Sequence, residues 1–266
     1  MIDYHVHLER GPYRTEWLNE FLKVGEDLGI TQYGIVEHLY IFKEAKGLLF
    51  QDEHVKANQN KFIQDYLSFI NTSKQQGKPI KLGFEVDYVI TKENLIRDFV
   101  KDLPVDFLIG SVHYLNDWSF DTNPNWQNRD IQDVYEQYFK TLLANVKSGI
   151  FDILGHCGNI AYHKHRLSIK QEEKMYGNFI EEASKYDIVF EINSGGLYRP
   201  AGVVFPNLKY LPLLKECGIE VTVSSDAHDP KHTGYKLNEL VIPKLKEAGF
   251  KKLVTFTKRK KHYLEI

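Results

Sequence analysis

Short apolar runs alternate with amphipathic segments along the whole chain, and this alternation restricts the possible folds more than any other feature. Eight runs read as strands: 2–7, 32–37, 80–86, 106–112, 151–156, 187–193, 219–225 and 252–256. Most are short and continuously apolar, as expected of strands buried on both faces. Between them lie candidate helices at about 15–29, 54–77, 92–102, 131–148, 169–185, 207–217 and 235–248. In 131–148, Ile131, Val134, Tyr135, Tyr138, Leu142 and Val146 recur at helical spacing. Gly29, Gly77, Gly149 and Gly218 stand where helices should stop. Strand–helix alternation implies a parallel sheet, and seven or eight such units favour closure into a barrel over an open doubly wound sheet. No GxGxxG or GxxxxGK[ST] pattern supports the open alternative. With no linker, repeat or low-complexity tract, residues 1–266 read as one domain.

Composition excludes several classes. Lys plus Arg is 34 and Asp plus Glu is 36, a net charge of −2, so no global basic bias points to nucleic acid. Cys157 and Cys217 are too few for a disulfide framework and suit a reducing compartment. No apolar run approaches the ~18 residues of a membrane helix. The opening MIDYHVHLERG mixes charge with histidine and does not read as a signal peptide. The expectation is a soluble cytoplasmic protein that binds neither nucleic acid nor membrane; oligomeric state is not encoded in these features.

Histidine placement carries the chemistry. His5, His7, His38, His113, His156 and His228 fall at or just after the C-terminal ends of predicted strands, the face that carries barrel active sites. His5 and His7 are two apart on one strand and therefore share a face. Such a pair suits a divalent metal, or forms two hydrogen-bonded core histidines. Glu85 ends an apolar strand, where a carboxylate must be ion-paired or metal-bound. Asp226 and His228 add a carboxylate and an imidazole at another strand end. Glu37 can serve as a ligand, a supporting partner or a cap. Together, His5, His7, His38, Glu85, His113, His156, Asp226 and His228 exceed one ion's needs, so two or three metals are implied. Imidazole and carboxylate donors without thiolate suit Zn, Mn or Fe(II). Such a centre acidifies water and neutralises an anionic substrate, as phosphate ester hydrolysis requires.

Arg166 and Arg199 lie in loops on the same side, each able to grip phosphate or to form a surface salt bridge. The aromatic 114–126 loop reads as packing plus a pocket wall. Asp121 within it, and Asp87, are candidates for a cationic part of the substrate. Cys157 reads as a buried thiol, and KRKK at 258–261 as a solvated tail.

The ordered set HVH (5–7), EH (37–38), GFE (83–85), GSVHYL (110–115), GHCG (155–158) and SSDAH (224–228) resembles the polymerase and histidinol phosphatase (PHP) superfamily. GSVHYL, INSGGLYRP and SDAH look most like its histidinol-phosphate phosphatase branch. The resemblance implies a distorted (β/α)7 barrel holding up to three metals, with 252–256 an extra terminal strand. One metal would use His5, His7, Glu85 and Asp226, a second His38 and His228, and a third Glu85, His113 and His156. Arg166 and Arg199 would hold the phosphate of L-histidinol phosphate, with Asp226 and His228 as catalytic residues. Many members carry another histidine after the HxH; here Tyr13 stands near that place, and Glu9 is the substitute donor. Another phosphoesterase of this superfamily, acting on tyrosine or nucleotide phosphates, is the alternative. More distant ones are a metal-dependent amidohydrolase and a non-catalytic metal-binding domain.

Overall fold

The computed structural model describes residues 1–122 and 125–266. Asn123 and Pro124, inside the expected 114–126 loop, lie outside the described residues. In chain order the elements are β1 (Ile2–Val6), α1 (Thr15–Asp27), β2 (Gln32–Ile35), α2 (Glu53–Asn58), α3 (Ile63–Gln75), β3 (Ile80–Asp87), α4 (Glu93–Val100) and β4 (Phe107–Ser111). A two-residue pair follows, β5 (Tyr114–Leu115) and β6 (Trp118–Ser119). Next come α5 (Ile131–Ser148), β7 (Ile153–Leu154), α6 (Ile169–Ala183), β8 (Val189–Asn193), α7 (Leu211–Glu216), β9 (Glu220–Ser224), α8 (Ile242–Glu247), β10 (Lys252–Thr257) and β11 (Lys260–Glu265).

Seven strands pair in parallel in the order β1-β2-β3-β4-β7-β8-β9. The sheet curls until the chain after β9 returns to β1, where His7 N donates to Ala227 O at 2.8 Å and Ala227 N to His5 O at 3.2 Å. The result is a nearly closed (β/α)7 barrel, as expected. Its interior is filled unevenly. Phe107 of β4 enters where β2 and β3 carry glycine: a Cβ at Gly34 or Gly83 would lie 2.7 or 2.8 Å from the Phe107 ring. Helix α5 shows how sequence dictates an element. Asp130 caps its start by accepting from Asp133 N at 3.1 Å, and its Val134, Tyr135, Tyr138, Leu142 and Val146 are buried. Gly149 ends it at φ +62°, a conformation that costs glycine no steric clash.

Three expectations change. The segment 54–77 forms two helices, because residues 59–62 break off to pair with the loop after β2: Lys61 N donates to Ile41 O at 3.1 Å, and Lys43 N to Lys61 O at 2.9 Å. In 235–248 a π turn over Leu237–Val241 precedes α8, and Pro243 at the junction has no N–H to continue the ladder. The KRKK stretch is structural. Lys258 and Arg259, at φ +50° and +62°, turn β10 into β11, and Arg259 Nε donates to Asp152 Oδ2 at 2.9 Å. Lys261 reaches Glu220 at 2.9 Å. The terminal strand therefore pairs in an antiparallel hairpin outside the barrel sheet. Cys157 and Cys217 are free thiols, Cys157 buried. Among the described residues, no helix is long and apolar enough to cross a membrane.

Candidate metal centre

The C-terminal ends of the barrel strands converge on Glu85, which is almost fully buried. Its Oε2 lies 3.3 Å from His5 Nε2, 3.4 Å from His7 Nε2 and 3.1 Å from His38 Nε2. Its Oε1 lies 2.8 Å from His156 Nε2 and 3.6 Å from His113 Nε2. Five imidazoles from four strand ends, with His5 and His7 sharing that of β1, thus surround one carboxylate. The two-residue spacing of His5 and His7 puts both rings on the same side of β1, as the strand period requires. Asp226 approaches from the other side, with Oδ1 3.6 Å from His7 Nε2. It sits at φ +55°, a left-handed conformation that aspartate tolerates better than most residues.

Three sets of ligand atoms come close enough to share an ion: His7, Glu9, His38 and His228; His5, Glu85 and His156; and His5, His7 and Asp226. Glu9 brings a carboxylate to the first set, 3.1 Å from His38 Nδ1 and 3.7 Å from His228 Nε2. Tyr13 stays apart, packed against Tyr66 and Phe69. These residues fit a divalent metal on a direct structural ground. His5 Nε2, both ring nitrogens of His7 and His156 Nδ1 are buried without a hydrogen-bond partner among the described residues. Buried polar atoms are costly when unpaired, and imidazole nitrogens gathered around buried carboxylates are donors that a divalent cation can take up.

Outer residues fix the rings. His5 Nδ1 donates to Glu191 Oε1 at 2.6 Å, while His156 N and Ser224 Oγ donate to the same carboxylate, each at 2.5 Å. His113 Nδ1 donates to Asp87 Oδ1 at 2.8 Å. Asp87 is therefore committed to orienting a histidine, and its expected role toward a substrate cation does not fit this geometry. Sequence inspection missed Glu191; its only signal was a carboxylate inside the apolar strand VFEIN.

Electrostatics divides the imidazoles. Although burial opposes it, the carboxylates of Glu9 and Glu85 raise His38 to about 10. Asp87 and Glu85 likewise raise His113 to about 9 against burial. Glu191 and Glu85 raise His5 well above its usual value despite its burial. Burial and the neighbouring imidazoles lower His7. Burial also lowers His228 to about 4. Its Nδ1–H is donated to Asp226 O at 3.0 Å, which turns Nε2 toward Glu9. Burial opposes ionisation of Glu85, but His38, His5 and His113 hold it ionised.

A cavity of about 440 Å³ opens above the cluster, lined by Glu9, His38, Glu85, His113, His156, Arg199, Asp226 and His228 among others. Arg199 Nη1 donates to Asp226 Oδ2 at 2.7 Å, which leaves its remaining N–H groups for an anion. Arg166 is elsewhere. It is exposed and borders a small separate cavity with Tyr135 and Glu172, because Tyr135 OH binds His165 O at 2.8 Å and directs that loop away. The second arginine on the cavity wall is Arg10, directly after Glu9. Nothing in its sequence position distinguished it from a surface residue.

Comparison with known proteins agrees with this geometry. Residues 3–195 match the PHP domain family. The probable histidinol-phosphatase of Deinococcus radiodurans is 24% identical, with 98% of each chain covered. That of Clostridium acetobutylicum is 27% identical, with 99% of each chain covered. The crystal structure of histidinol phosphate phosphatase from Lactococcus lactis, complexed with zinc, L-histidinol and phosphate, superposes with a TM-score of 0.79 at 20% identity over 98% of each chain. With the family match covering well over half of its length, this chain belongs to the PHP domain family.

Proposed function

We propose that this protein is a metal-dependent phosphomonoesterase that hydrolyses L-histidinol phosphate to L-histidinol and phosphate. The observation that carries the reading is the set of buried, unpartnered imidazole nitrogens around Glu85, on the floor of a cavity walled by Arg199 and Arg10. His5, His7, Glu9, His38, Glu85, His113, His156, Asp226 and His228 would hold two or three divalent ions, with zinc, manganese or iron(II) suited to these donors. When bound, such ions supply Lewis-acid activation of water and neutralise charge on phosphoryl oxygens. Arg199 presents a planar pair of N–H groups to the phosphate oxygens, and its ion pair with Asp226 fixes the angle of that fork. Arg10 adds positive charge at the rim. Glu191 and Asp87 hold His5 and His113 so that each ring's Nε2 faces the cluster.

The names of the relatives support the same reading, since each is named a probable histidinol-phosphatase and aligns over nearly its whole length. On this reading residues 1–266 act as one catalytic unit on a small phosphate ester, in the cytoplasm, without nucleic acid or membrane. The test is phosphate release from L-histidinol phosphate, p-nitrophenyl phosphate and phosphotyrosine, with protein stripped by chelator and reloaded with zinc, manganese or iron(II). Metal-dependent selectivity for histidinol phosphate is expected. Equal slow turnover of all three esters would reject the substrate, and no turnover with any metal would reject the phosphatase.

A further inference from the structure

Four carboxylates line the cavity: Glu9, Glu85, Asp121 and Asp226. Three of them contribute to the donor groups around the metal centre. Asp121 does not. Among the described residues, no hydrogen bond or ion pair engages its side-chain oxygens, although the residue is half-buried. A half-buried carboxylate without a partner on a cavity wall is a place for a cation.

Its position is built. The Asp121 carbonyl accepts from His163 Nε2 at 2.8 Å. On the N-terminal side, Phe120 N donates to His113 O at 3.2 Å. On the C-terminal side, Thr122 N donates to Ser119 Oγ at 3.0 Å. The β5–β6 hairpin that leads into this turn is held by Tyr114 OH, which donates to Asp52 Oδ2 at 2.8 Å. The backbone is therefore held on both sides while the carboxylate stays open. It lines the same cavity as His113 and Arg199, the arginine that would hold the phosphate.

We propose that Asp121 selects the substrate by receiving a protonated amino group on the leaving alcohol, so that the preferred esters are phosphomonoesters of amino alcohols. This rests on the phosphomonoesterase reading above and adds the residue that recognises the amine of the leaving group. His163, which holds the Asp121 carbonyl, is a positioning residue.

The test compares kcat/KM of the metal-loaded enzyme for L-histidinol phosphate and for 3-(imidazol-4-yl)propyl phosphate, which keeps the ring and lacks the amine. The wild type is expected to prefer the amino ester. Asp121→Asn is expected to reduce that preference by about 10- to 100-fold, mainly through KM, as loss of one charge-assisted hydrogen bond implies. Asp121→Glu should restore part of it, and His163→Ala should lower it less than Asp121→Asn does. Unfolding curves of the three variants separate a selective effect from a general one. A wild type that treats both esters alike, or an Asp121→Asn enzyme that keeps the preference, overturns the assignment while the phosphatase reading stands. If imidazole recognition were the role of Asp121, Asp121→Asn would weaken both esters equally, which also overturns it. A wild type that hydrolyses neither ester overturns both readings.

Discussion

Loading metal into the stripped protein should release about three protons from side chains at pH 7, and this number follows from the geometry. Three imidazoles of the cluster are held charged by the carboxylates that face their ring nitrogens. His5 faces Glu191 at 2.6 Å and Glu85 at 3.3 Å. His38 faces Glu9 and Glu85, both at 3.1 Å. His113 faces Asp87 at 2.8 Å and Glu85 at 3.6 Å. Each is therefore an imidazolium at pH 7, with His38 at about 10, His113 at about 9 and His5 well above its usual value. His7 and His228 are already neutral, because burial and crowding by other imidazoles lower both. Glu9, at about 2, and Glu85 and Asp226, both lowered, are already ionised and release nothing. A ring nitrogen that takes a cation must first lose its proton, so three protons leave. Through linkage, the combined loading constant should rise about a thousandfold per pH unit between pH 6 and 8. Calorimetric titration of stripped protein with zinc, in buffers of different ionisation enthalpy, counts the protons directly. Release of fewer than one proton, or an affinity that does not change with pH, would refute the reasoning that the carboxylates charge these three rings.

The same shifts set the stability of the stripped protein. His38 and His113 have folded pKa values above the unfolded value, so their contribution is complete below about pH 6.5 and is lost as pH rises through 9 to 10. The Tm of stripped protein should fall from pH 7 to 10, and that of metal-loaded protein should fall less. Glu191→Gln keeps the shape but weakens the hold on His5 Nδ1 and on the amide of His156; metal affinity is expected to drop by about 10- to 100-fold, read by chelator competition. Arg166→Ala should leave phosphatase kcat/KM within about twofold, whereas Arg199→Ala should cost about 100-fold, as loss of a charged transition-state contact implies. The reverse order would return Arg166 to the site. Arg259→Ala leaves Asp152 without its cation at the base of the barrel and should destabilise the fold by about 2 kcal/mol in denaturant melts, with kcat retained.

Much of this protein is legible before folding is considered. The eight apolar runs mark seven barrel strands and the first strand of the hairpin, because burial on both faces leaves no room for polar alternation. The spacing of His5 and His7 is enough to put them on one face, since the period of a strand is a property of the backbone alone. The start and end of α5 follow from Asp130 and Gly149 for the same reason: capping is chemistry within one turn. The concentration of histidines at strand ends was visible because β/α barrels present those ends on one side.

What the sequence alone leaves open is everything that depends on which distant groups meet. Nothing in the sequence singles out Arg10, whereas Arg166 reads there as a phosphate ligand. Only the turn after β1 brings one to the cavity, while the bond from Tyr135 OH to His165 O carries the other away. Asp87 and Asp121 were equal candidates for a substrate cation until the fold placed His113 Nδ1 on one and left the other open. Glu191 looked like one more residue of an apolar strand, yet it orients His5 from 186 positions away. The break between α2 and α3 arises from backbone bonds to residues 41–43, which no helical period records. Periodicity, capping and strand direction act over a few residues, so the sequence determines them. The pairing of charges and lone pairs acts through space, and closing the barrel is what brings those partners together.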